Sequence, residues 1–563
     1  MVDLGARIRQ EEADVNSDPT PAPEPHGGGI PRRAQSVGAA IGISRILGLA
    51  REMVLARTFG AGSFTDAFII AYRIPNMLRD LFAEGALSAA LVPTLIRRMT
   101  RGGREEGWVL VNRLVGALLL ILGAVTLGIY FGSRGLVWML AAGFRDNPGK
   151  FELTAQMTRI MSPFLLSVSL ASVGMAALNA CGRFFLPALA SSVFNISCIL
   201  AALLLSGLMP GWGFDPIVSM AVGAVLGGAA QFLVMIPPAG ALGYRFRLDF
   251  RFSDPDLGAI GRLALPAVLG LSATQINIVV DSQLASLYGD GPVSWLGYGF
   301  RLMQLPIGLI GVAVATATMT TVSECAARGM RDRIGPALGS GLRLSACLLF
   351  PAMAGLLLFR GEIVQLLYQR GAFLEADTLW TGRVVGLYAL GLYSFSAVKI
   401  LTPAFYALEN TGTPVRVSLV AVAAKIALSF LLIRPLGFLG LPLATSLSSW
   451  LHFALLRRHL ARSLSPAPAG GAGAPDAHGP GAYLRIILAS LATGAIALAV
   501  HRGAELLLPG PGALPLLFRL GAAIMAALAA LVPLLRRFGV EEARELARLA
   551  GGVRREGLEH EGR

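Results

Sequence analysis

Long apolar runs separated by short polar turns recur along nearly the whole of this 563-residue chain. A helix needs about 20 consecutive, mostly apolar residues to cross the hydrocarbon core of a bilayer. Such stretches occur fourteen times after residue 35, at 36–57, 63–96, 107–131, 152–181, 184–208, 214–243, 257–287, 293–325, 334–359, 376–408, 413–434, 437–457, 482–507 and 513–535. Because 54% of the residues are hydrophobic and only 15% are charged, the pattern predicts an all-α polytopic membrane protein with about fourteen transmembrane helices.

The basic residues concentrate in particular turns between these runs. The net charge of +14 would also suit a nucleic-acid-binding protein, but no single domain gathers the positive charge. Arginines cluster in the turns 97–106, 244–262, 326–333 and 457–463, whereas the turns 209–213 and 288–292 contain no Lys or Arg. The positive-inside rule assigns the basic turns to the cytoplasm. With an even number of helices, both termini are predicted to be cytoplasmic, and no nucleic-acid partner is expected.

The chain repeats itself near the start of its two halves. The stretch ARTFGAGSFTDAFIIAYRIP, from Ala56, resembles ASLYGDGPVSWLGYGFRLMQLP, from Ala285, and makes Arg73 and Arg301 counterparts. This repeat predicts two pseudo-symmetric six-helix lobes related by an axis along the membrane normal. The predicted segments are a disordered cytoplasmic tail (1–35), an N-lobe (36–243), a C-lobe (244–462), a flexible linker (463–481), two further helices (482–535) and an amphipathic basic cytoplasmic tail (536–563).

Several charged residues stand inside the apolar runs, most of them between Ser44 and Pro93. A charge at mid-bilayer costs about 2.5–3.5 kcal/mol on insertion scales, so such residues usually face a cavity or a bundle interior. Arg45, Arg51 and Arg301 lie deepest in their apolar runs. Arginine binds phosphate bidentately and does not lose its charge. The pattern indicates a transporter whose cavity, between two rocking lobes, holds an anionic, phosphate-bearing substrate.

A structural interpretation of the same charges stays open. The arginines can form ion pairs with nearby carboxylates or extend from helix ends to the headgroups. The carboxylates available in this stretch are Glu52, Asp66, Asp80 and Glu84. The arginines nearest the predicted interfaces are Arg57, Arg73 and Arg79. Asp281 and Lys399 are isolated charges within later apolar helices, and Asp281 can either bind a cation or balance an arginine.

Long motifs carry a resemblance to a known family. SRILGLARE, RIPNMLRDLFAEGALSAALVP and PVSWLGYGFRLMQLPIGLIGVAVAT resemble the MurJ (MviN) family of lipid II flippases, within the multidrug/oligosaccharidyl-lipid/polysaccharide exporter superfamily. The resemblance implies fourteen helices, a central cationic cavity and, between the last two helices, a groove for a lipid tail. It also implies a transporter of the bacterial inner membrane, not an enzyme. Its substrate would be the undecaprenyl-pyrophosphate-linked peptidoglycan precursor, lipid II, carried to the outer leaflet.

The resemblance also implies roles for individual residues. The predicted substrate-binding residues are Arg45, Arg51, Glu52, Arg79 and Arg301. The predicted cavity or gating residues are Asp66, Arg73, Glu84 and Gln304. Most members carry Asp where this chain has Glu52. Phe300 and Gln304 stand where many members carry acidic residues, which argues against ion-pair gating through those two positions.

The energy source is left open by the resemblance. Some members hold a sodium ion through an aspartate that falls on Asp281, with groups near Glu409 and Asn410. Not every member keeps that aspartate, so coupling to Na⁺, to H⁺ or to the membrane potential alone are all compatible with the sequence. No other cofactor is expected. The expected partners are lipid II, membrane lipids and the cell-wall synthesis and division machinery, with the protein acting as a monomer.

Other functional classes stay open. One is an exporter of a different polyprenyl-linked glycan, or a drug/cation antiporter of the same superfamily. An antiporter of cations is expected to have acidic residues, not arginines, in the first-lobe cavity. A membrane enzyme such as a glycan polymerase would need a nucleophile or acid/base set outside the membrane, and the longer turns 132–151 and 360–375 lack His and paired acids. A third is an inactive scaffold, against which the retained arginine set argues.

Overall fold

The computed structural model describes residues 30–80, 86–464, 479–510 and 512–548, and within these ranges the fold is helical and contains no strand. Most of the predicted N-terminal tail and of the linker 463–481, together with residues 549–563, lie outside the described ranges. The predicted all-α fold class is confirmed.

Helices follow one another closely along the first half of the chain. Their bounds are α1 Ile30–Phe59, α2 Ser63–Arg79, α3 Ala86–Leu140, α4 Pro148–Ala180, α5 Phe185–Leu205, α6 Val218–Leu233 and α7 Ile236–Ala241. A 3-10 turn, Ala142–Asp146, joins α3 to α4. Helix α3 is 55 residues long and is broken at Gly103, whose φ of 79° is not helical. The break at Gly103 divides it into two helices. Without the break, a straight helix of that length would measure about 80 Å.

The second half continues the same pattern. Its helices are α8 Pro255–Ser286, α9 Pro292–Pro306, α10 Val312–Ala327, α11 Arg331–Leu358, α12 Arg360–Tyr368, α13 Glu375–Ala389, α14 Leu392–Ala407, α15 Gly412–Leu436, α16 Gly440–Leu464, α17 Gly479–Leu507 and α18 Ala513–Arg537. A π-helical turn, Ile307–Gly311, joins α9 to α10.

Several helices start where the sequence supplies a start signal. Proline at the first helical position lacks an N–H that would go unused there, and Asn or Asp before it caps the free amides. Asn147 precedes Pro148 and accepts from the Lys150 amide at 3.2 Å. Asp254 precedes Pro255 in the same way at α8.

Length and composition support membrane crossing for much of the described chain. Nine helices in the described ranges are long and apolar enough to span a bilayer, or ten if α13 and α14, bent by 43°, count as one span. The predicted number of about fourteen is not confirmed by this measure. Two of the nine stretches, Ala90–Leu140 and Gly412–Leu464, exceed 50 residues, which is enough for two crossings each. Helix α2 has only 17 residues, so it is too short to be among the nine.

The helices pack into two groups with α8 between them. In the first, α1 packs on α5, and α4 packs on α2, α3 and α6; in the second, α14 packs on α10, α11 and α16. Helices α17 and α18 pair with each other, and α17 also packs on α11. Helix α8, predicted as the first helix of the C-lobe, packs on α3 of the first group and on α15 of the second. It therefore bridges the two groups.

The chain before α8 is fastened to α3 by an ionic network on the predicted cytoplasmic side. The carboxylate of Asp254, only 1% exposed, accepts from Arg98 at 2.8 Å and from Arg113 at 2.5 Å. Arg113 also donates to Asp249 at 3.0 Å. We call Arg98, Arg113, Asp249 and Asp254 the linker clamp. Because it joins α3 to the start of α8, it fixes where the bridging helix begins.

The linker clamp makes the stability of the fold depend on pH under acidic conditions. Burial by itself would raise the pKa of Asp254, but hydrogen bonds from Arg113, the Asp256 amide and Arg98 outweigh it and lower that pKa. A carboxyl whose folded-state pKa is lowered stabilises the fold above its unfolded pKa of about 3.9, and this stabilisation is lost as the pH falls.

We predict that Asp254→Asn lowers the thermal stability of the purified protein at pH 7. It removes the charge from a buried carboxylate that accepts hydrogen bonds from two arginines, at a cost of about 1–3 kcal/mol. It also flattens the loss of stability between about pH 5 and pH 3. Melting curves in detergent across this pH range measure both effects. The matched control is Asp215→Asn at an exposed position, and equal melting curves for the two variants would contradict the prediction.

Candidate functional site

One carboxylate joins the two groups of helices at the predicted cavity. Glu52 on α1 is 5% exposed. Its Oε1 atom lies 2.7 Å from Nη2 of Arg51, also on α1, and 3.1 Å from Nε of Arg301 on α9. Three of the five predicted substrate-binding residues therefore come together, with the carboxylate between arginines from opposite lobes.

The two arginines at Glu52 differ in their surroundings. The Arg51 side chain is 11% exposed, and its guanidinium lies 5.4 Å from the centre of the Phe194 ring on α5. The Arg301 side chain is 47% exposed. Arg51 is thus held by a cation–π contact and an ion pair, whereas Arg301 keeps open space beside it.

Arg45 extends from α1 towards the π-helical turn of the other lobe. A Cβ atom placed on Gly308 would lie 2.5 Å from Nη1 of Arg45, so the guanidinium lies directly against the backbone of this turn. Lys399 on α14 is exposed and interacts electrostatically with Arg45. Arg45, Arg51, Arg301 and Lys399 bring four positive charges to this region, and Glu52 brings one negative charge. The arrangement suits an anion.

The remaining predicted site residues are more dispersed. Arg79 pairs with the neighbouring Asp80 at 3.1 Å. Arg73 on α2 donates to the hydroxyl of Ser282 on α8. Gln304 is exposed one helical turn after Arg301, and Glu84 lies outside the described residues. Arg73 therefore contacts the bridging helix, while Arg79 keeps a local partner.

Asp66 closes the two lobes against each other at the end of the bundle that the loop charges assign to the periplasm. Its side chain is fully buried and accepts from the amides of Gly291 at 2.7 Å and Ser294 at 2.8 Å, and from the Ser294 hydroxyl at 2.5 Å. Asp66 lies on α2, so it caps the N-terminus of α9 from the opposite lobe. Free helix amides and the helix dipole both favour a carboxylate there.

Lys150 completes this closure and was not predicted. Its Nζ atom lies 2.8 Å from Asp66 and 2.8 Å from Asp290, and 4.1 Å from the centre of the Phe144 ring. We call Asp66, Lys150, Asp290 and Ser294 the latch. In the sequence Lys150 is a single charge beside a turn, and only the contact with Asp66, far away in the chain, reveals its role.

Backbone contacts tighten the same side. The amide of Ala372 donates to the Arg57 carbonyl at 2.9 Å, and the Tyr298 hydroxyl donates to the Gly60 carbonyl at 3.2 Å. A Cβ atom on Gly60, whose φ is 71°, would lie 2.5 Å from the Ala372 carbonyl oxygen. The lobes are therefore in direct contact around the latch.

Asp281 has a lysine as its partner. Nζ of Lys425 on α15 lies 2.5 Å from Oδ1 of Asp281 and 3.1 Å from the carbonyl oxygen of Asn277. A carboxylate and a carbonyl are the oxygen donors that a hard cation takes, and here an ammonium group holds both. In the sequence Asp281 is an isolated charge, and its partner lies 144 residues further along the chain.

The three predicted sodium ligands do not come together. Asn410, next to Glu409, accepts from the Thr413 amide at 3.1 Å at the start of α15. Lys425, and with it Asp281, lies about 18 Å further along that helix, and about 10 Å remain after allowing for the lysine side chain. Ligands of one small cation lie within about 2.6 Å of it. Among the described residues, no group of three or more His, Cys, Asp or Glu is placed to hold a metal, so the coupling ion stays a prediction.

An apolar groove runs between α11 and α17. Its volume is about 350 Å³, and its lining includes Met353, Leu357, Ile487, Leu491, Gly494 and Leu498. The resemblance implied a groove between the last two helices. In the structure the lining comes from α17 and from α11 of the second lobe.

The family model described as "Lipid II flippase MurJ" matches residues 55–510, which is most of the chain. The chain belongs to the MurJ family. A probable lipid II flippase MurJ of Vibrio cholerae serotype O1 is 36% identical over 425 residues, covering 74% of this chain and 80% of that protein. A lipid II flippase MurJ of Burkholderia cenocepacia is 30% identical over 418 residues, with 74% and 80% covered.

Solved structures agree with the MurJ assignment. A structure described as "Lipid II flippase MurJ, inward closed conformation" superposes with a TM-score of 0.73 at 26% identity, covering 89% of this chain and 99% of its own. An inward-facing multidrug transporter of the MATE family, of the MOP superfamily, gives 0.60 at 14% identity over 76% and 98%. At that identity the second likeness shows a shared fold alone.

For this MurJ-family chain we predict that Lys150→Met loosens the latch, because it leaves the buried Asp66 carboxylate without its counter-charge, at a cost of about 3–5 kcal/mol to the closed arrangement. Spin labels at Phe64 and Leu374, exposed positions on opposite lobes near the latch, measure the separation by pulsed electron resonance. In the variant, the distribution of distances between the two labels is expected to gain a second, longer component.

The matched control for the latch is Arg134→Gln. Arg134 pairs with Glu152 at 2.9 Å, but both side chains are more than half exposed, and exposed pairs contribute about 0–1 kcal/mol. Its distance distribution is expected to equal that of the unmodified chain. An unchanged distribution in Lys150→Met would show that the latch does not hold the lobes together.

Proposed function

We propose that this chain flips lipid II from the cytoplasmic to the periplasmic leaflet of the bacterial cytoplasmic membrane by alternating access, as a transporter and not as an enzyme. The observation that carries the proposal is the shared Glu52 oxygen between Arg51 and Arg301. Two arginines from opposite lobes already converge on one anionic oxygen, and a pyrophosphate presents several such oxygens to the same pair.

Glu52 acts in this proposal as the internal anion of the empty carrier. An entering pyrophosphate first meets Arg301, because that side chain is 47% exposed while Arg51 is 11% exposed. The planar guanidinium forks then bind phosphate oxygens in pairs. Arg45, held against Gly308, adds a third positive charge, and the substrate displaces Glu52 from at least one arginine.

The latch links binding to access. Ser294 and Arg301 stand on the same helix, α9, two turns apart, so they move together. When Asp66 releases Ser294, α9 moves away from α1, and the grip of Arg51 and Arg301 on the pyrophosphate weakens. After release of the substrate, Glu52 attracts Arg301 back. The membrane potential, worth about 2.3 kcal/mol per charge per 100 mV, drives the return of a positively charged empty cavity.

The groove between α11 and α17 suits the polyprenyl chain. Its walls are apolar side chains, so a hydrocarbon tail stays in contact with apolar surface while the headgroup crosses. In the same proposal both termini are cytoplasmic, and the protein works as a monomer.

The alternative functions keep less support. A drug/cation antiporter needs a predominance of negative charge, whereas Arg51 and Arg301 here converge on the single carboxylate of Glu52. An exporter of another polyprenyl-linked glycan shares the pyrophosphate and the tail, and only the sugar distinguishes it. Growth rescue of a bacterium depleted of its own lipid II flippase separates such an exporter from a lipid II flippase.

We predict that Arg51→Ala and Arg301→Ala each abolish growth rescue of a bacterium depleted of its own lipid II flippase, because each removes one side of the anion grip. The unmodified chain is expected to rescue. The control is Arg502→Ala, an exposed arginine that pairs with Glu505 on the surface, which should rescue fully. Immunoblots of membranes establish that all variants are present.

The outcomes separate the claims. Rescue by both alanine variants would leave the flippase function standing and remove the arginine grip. Failure of the unmodified chain, with the protein present in the membrane, would point to a different polyprenyl-linked glycan.

We predict that Glu52→Gln binds lipid II about tenfold more tightly, because the substrate no longer competes with an internal carboxylate. Tenfold corresponds to about 1.4 kcal/mol, close to the contribution of one hydrogen bond to a charged group. Its transport in vesicles is expected to be slower, because the empty carrier loses the anion that draws Arg301 back. Titration in detergent and a leaflet-exposure assay measure the two effects. Weaker binding would contradict the internal-anion role.

A further inference from the structure

The linker between α7 and α8 contains a segment in which basic and apolar residues alternate. It reads YRFRLDFRF from Tyr244 to Phe252. Its residues belong to no helix or strand. We call it the linker segment. The proposed transport mechanism makes no use of it.

Its large apolar side chains are exposed. Phe246 is 57% exposed, Leu248 56%, Phe250 50% and Phe252 52%. Most of the other exposed large apolar side chains lie on helices. Four in a row on a non-helical linker would be costly in water, since contiguous apolar surface usually marks a binding or membrane surface.

The segment runs along α3 from the polar into the apolar part of that helix. Trp108 donates to the Leu242 carbonyl at 3.2 Å, and Asn112 donates to the Arg245 carbonyl at 2.9 Å. From Trp108 the chain continues alongside α3 as far as Gly116, about 12 Å along the helix axis.

Gly116 marks how deep the segment reaches. A Cβ atom there would lie 2.5 Å from the Asp249 carbonyl oxygen and 3.5 Å from the Phe250 ring. The uninterrupted apolar part of α3 starts at Leu114, directly after Arg113. Phe250 therefore stands level with the first apolar turn, where headgroups give way to hydrocarbon.

The charges of the segment are available to a ligand. Arg245 and Arg247 are exposed, and within the described residues their side chains have no ion-pair partner. The one acid of the segment, Asp249, already accepts from Arg113 at 3.0 Å. Arg251 is 80% exposed, and its ion pair with Asp249 is long, at 3.8 Å. The segment thus presents three cations and an apolar row within about 12 Å along the axis of α3.

We propose that the linker segment is a membrane anchor in which Phe246, Leu248, Phe250 and Phe252 enter the cytoplasmic leaflet while the three arginines bind the phosphates of anionic phospholipids. Amphipathic membrane anchors combine the same two elements, apolar insertion and basic contacts with anionic lipid. The linker clamp joins the segment to the start of α8, so bound lipid fixes the cytoplasmic end of the bridging helix. The proposal does not depend on which substrate is carried.

Fluorescence at Leu248 tests the anchor on the full-length protein. In a Cys181→Ala background, where the remaining cysteines are buried, Leu248→Cys carries an environment-sensitive dye. The protein is reconstituted into phosphatidylcholine vesicles with or without phosphatidylglycerol, and with nitroxide-bearing acyl chains as quenchers. The matched control is the same dye at Arg101, an exposed position on α3 before Gly103.

The dye at position 248 is expected to be quenched, and that at 101 is not. Phosphatidylglycerol should increase the quenching of the dye at position 248. The triple variant Arg245→Gln, Arg247→Gln, Arg251→Gln should not show this increase. Each arginine is expected to change the partition of the segment about fivefold, which corresponds to about 1 kcal/mol. High salt should act like the triple variant, and free inorganic phosphate should not restore quenching.

Three results would overturn the proposal. The first is a dye at 248 that stays as water-exposed as the dye at 101 in every vesicle. The second is quenching that is indifferent to phosphatidylglycerol, which would remove the anionic-lipid part. The third is protection of position 248 in native membranes but not in vesicles, which would identify a protein partner instead. Because the readout is position and not transport, it is independent of the proposed flippase cycle.

Discussion

The contact on which the rest of the structure depends is a single carboxylate oxygen shared by two arginines from opposite lobes. Buried charge is tolerated only when it is paired, and Glu52 between Arg51 and Arg301 provides that pairing. The same pairing makes the site responsive. An anion that offers more oxygens than one carboxylate competes for the more exposed arginine, so this contact between the lobes is also the one that a substrate replaces.

Helix α9 connects this contact to the latch. Its N-terminus is capped from the other lobe by Asp66, and Arg301 follows Ser294 by two turns. A helix transmits displacement along its axis because its backbone hydrogen bonds keep its length. Loss of either contact therefore weakens the other. Lys150 makes the cap at Asp66 tolerable in a buried place, because it supplies the counter-charge that the amides do not.

The sequence predicted what depends on charge and hydropathy within one stretch. The all-α class follows from the apolar runs, and Arg51, Glu52 and Arg301 stood out because charges inside such runs are costly. The partners that complete the sites could not be read in the same way. Lys150 meets Asp66, and Lys425 meets Asp281, across long separations in sequence. The lysine at Asp281, in particular, follows from the packing of α15 on α8 and not from any local pattern.

Helix α8 gathers these long-range contacts and explains how the lobes remain coupled. At its start Asp254 is fixed to α3 by Arg98 and Arg113, and near its other end Asp281 is fixed to α15 by Lys425. Near that same end α8 is also joined to the first group, because Arg73 donates to Ser282 and the amides of Ala142 and Gly143 donate to Gln283 and Ser286. The bridging helix thus couples the two groups, because both of them hold its far end.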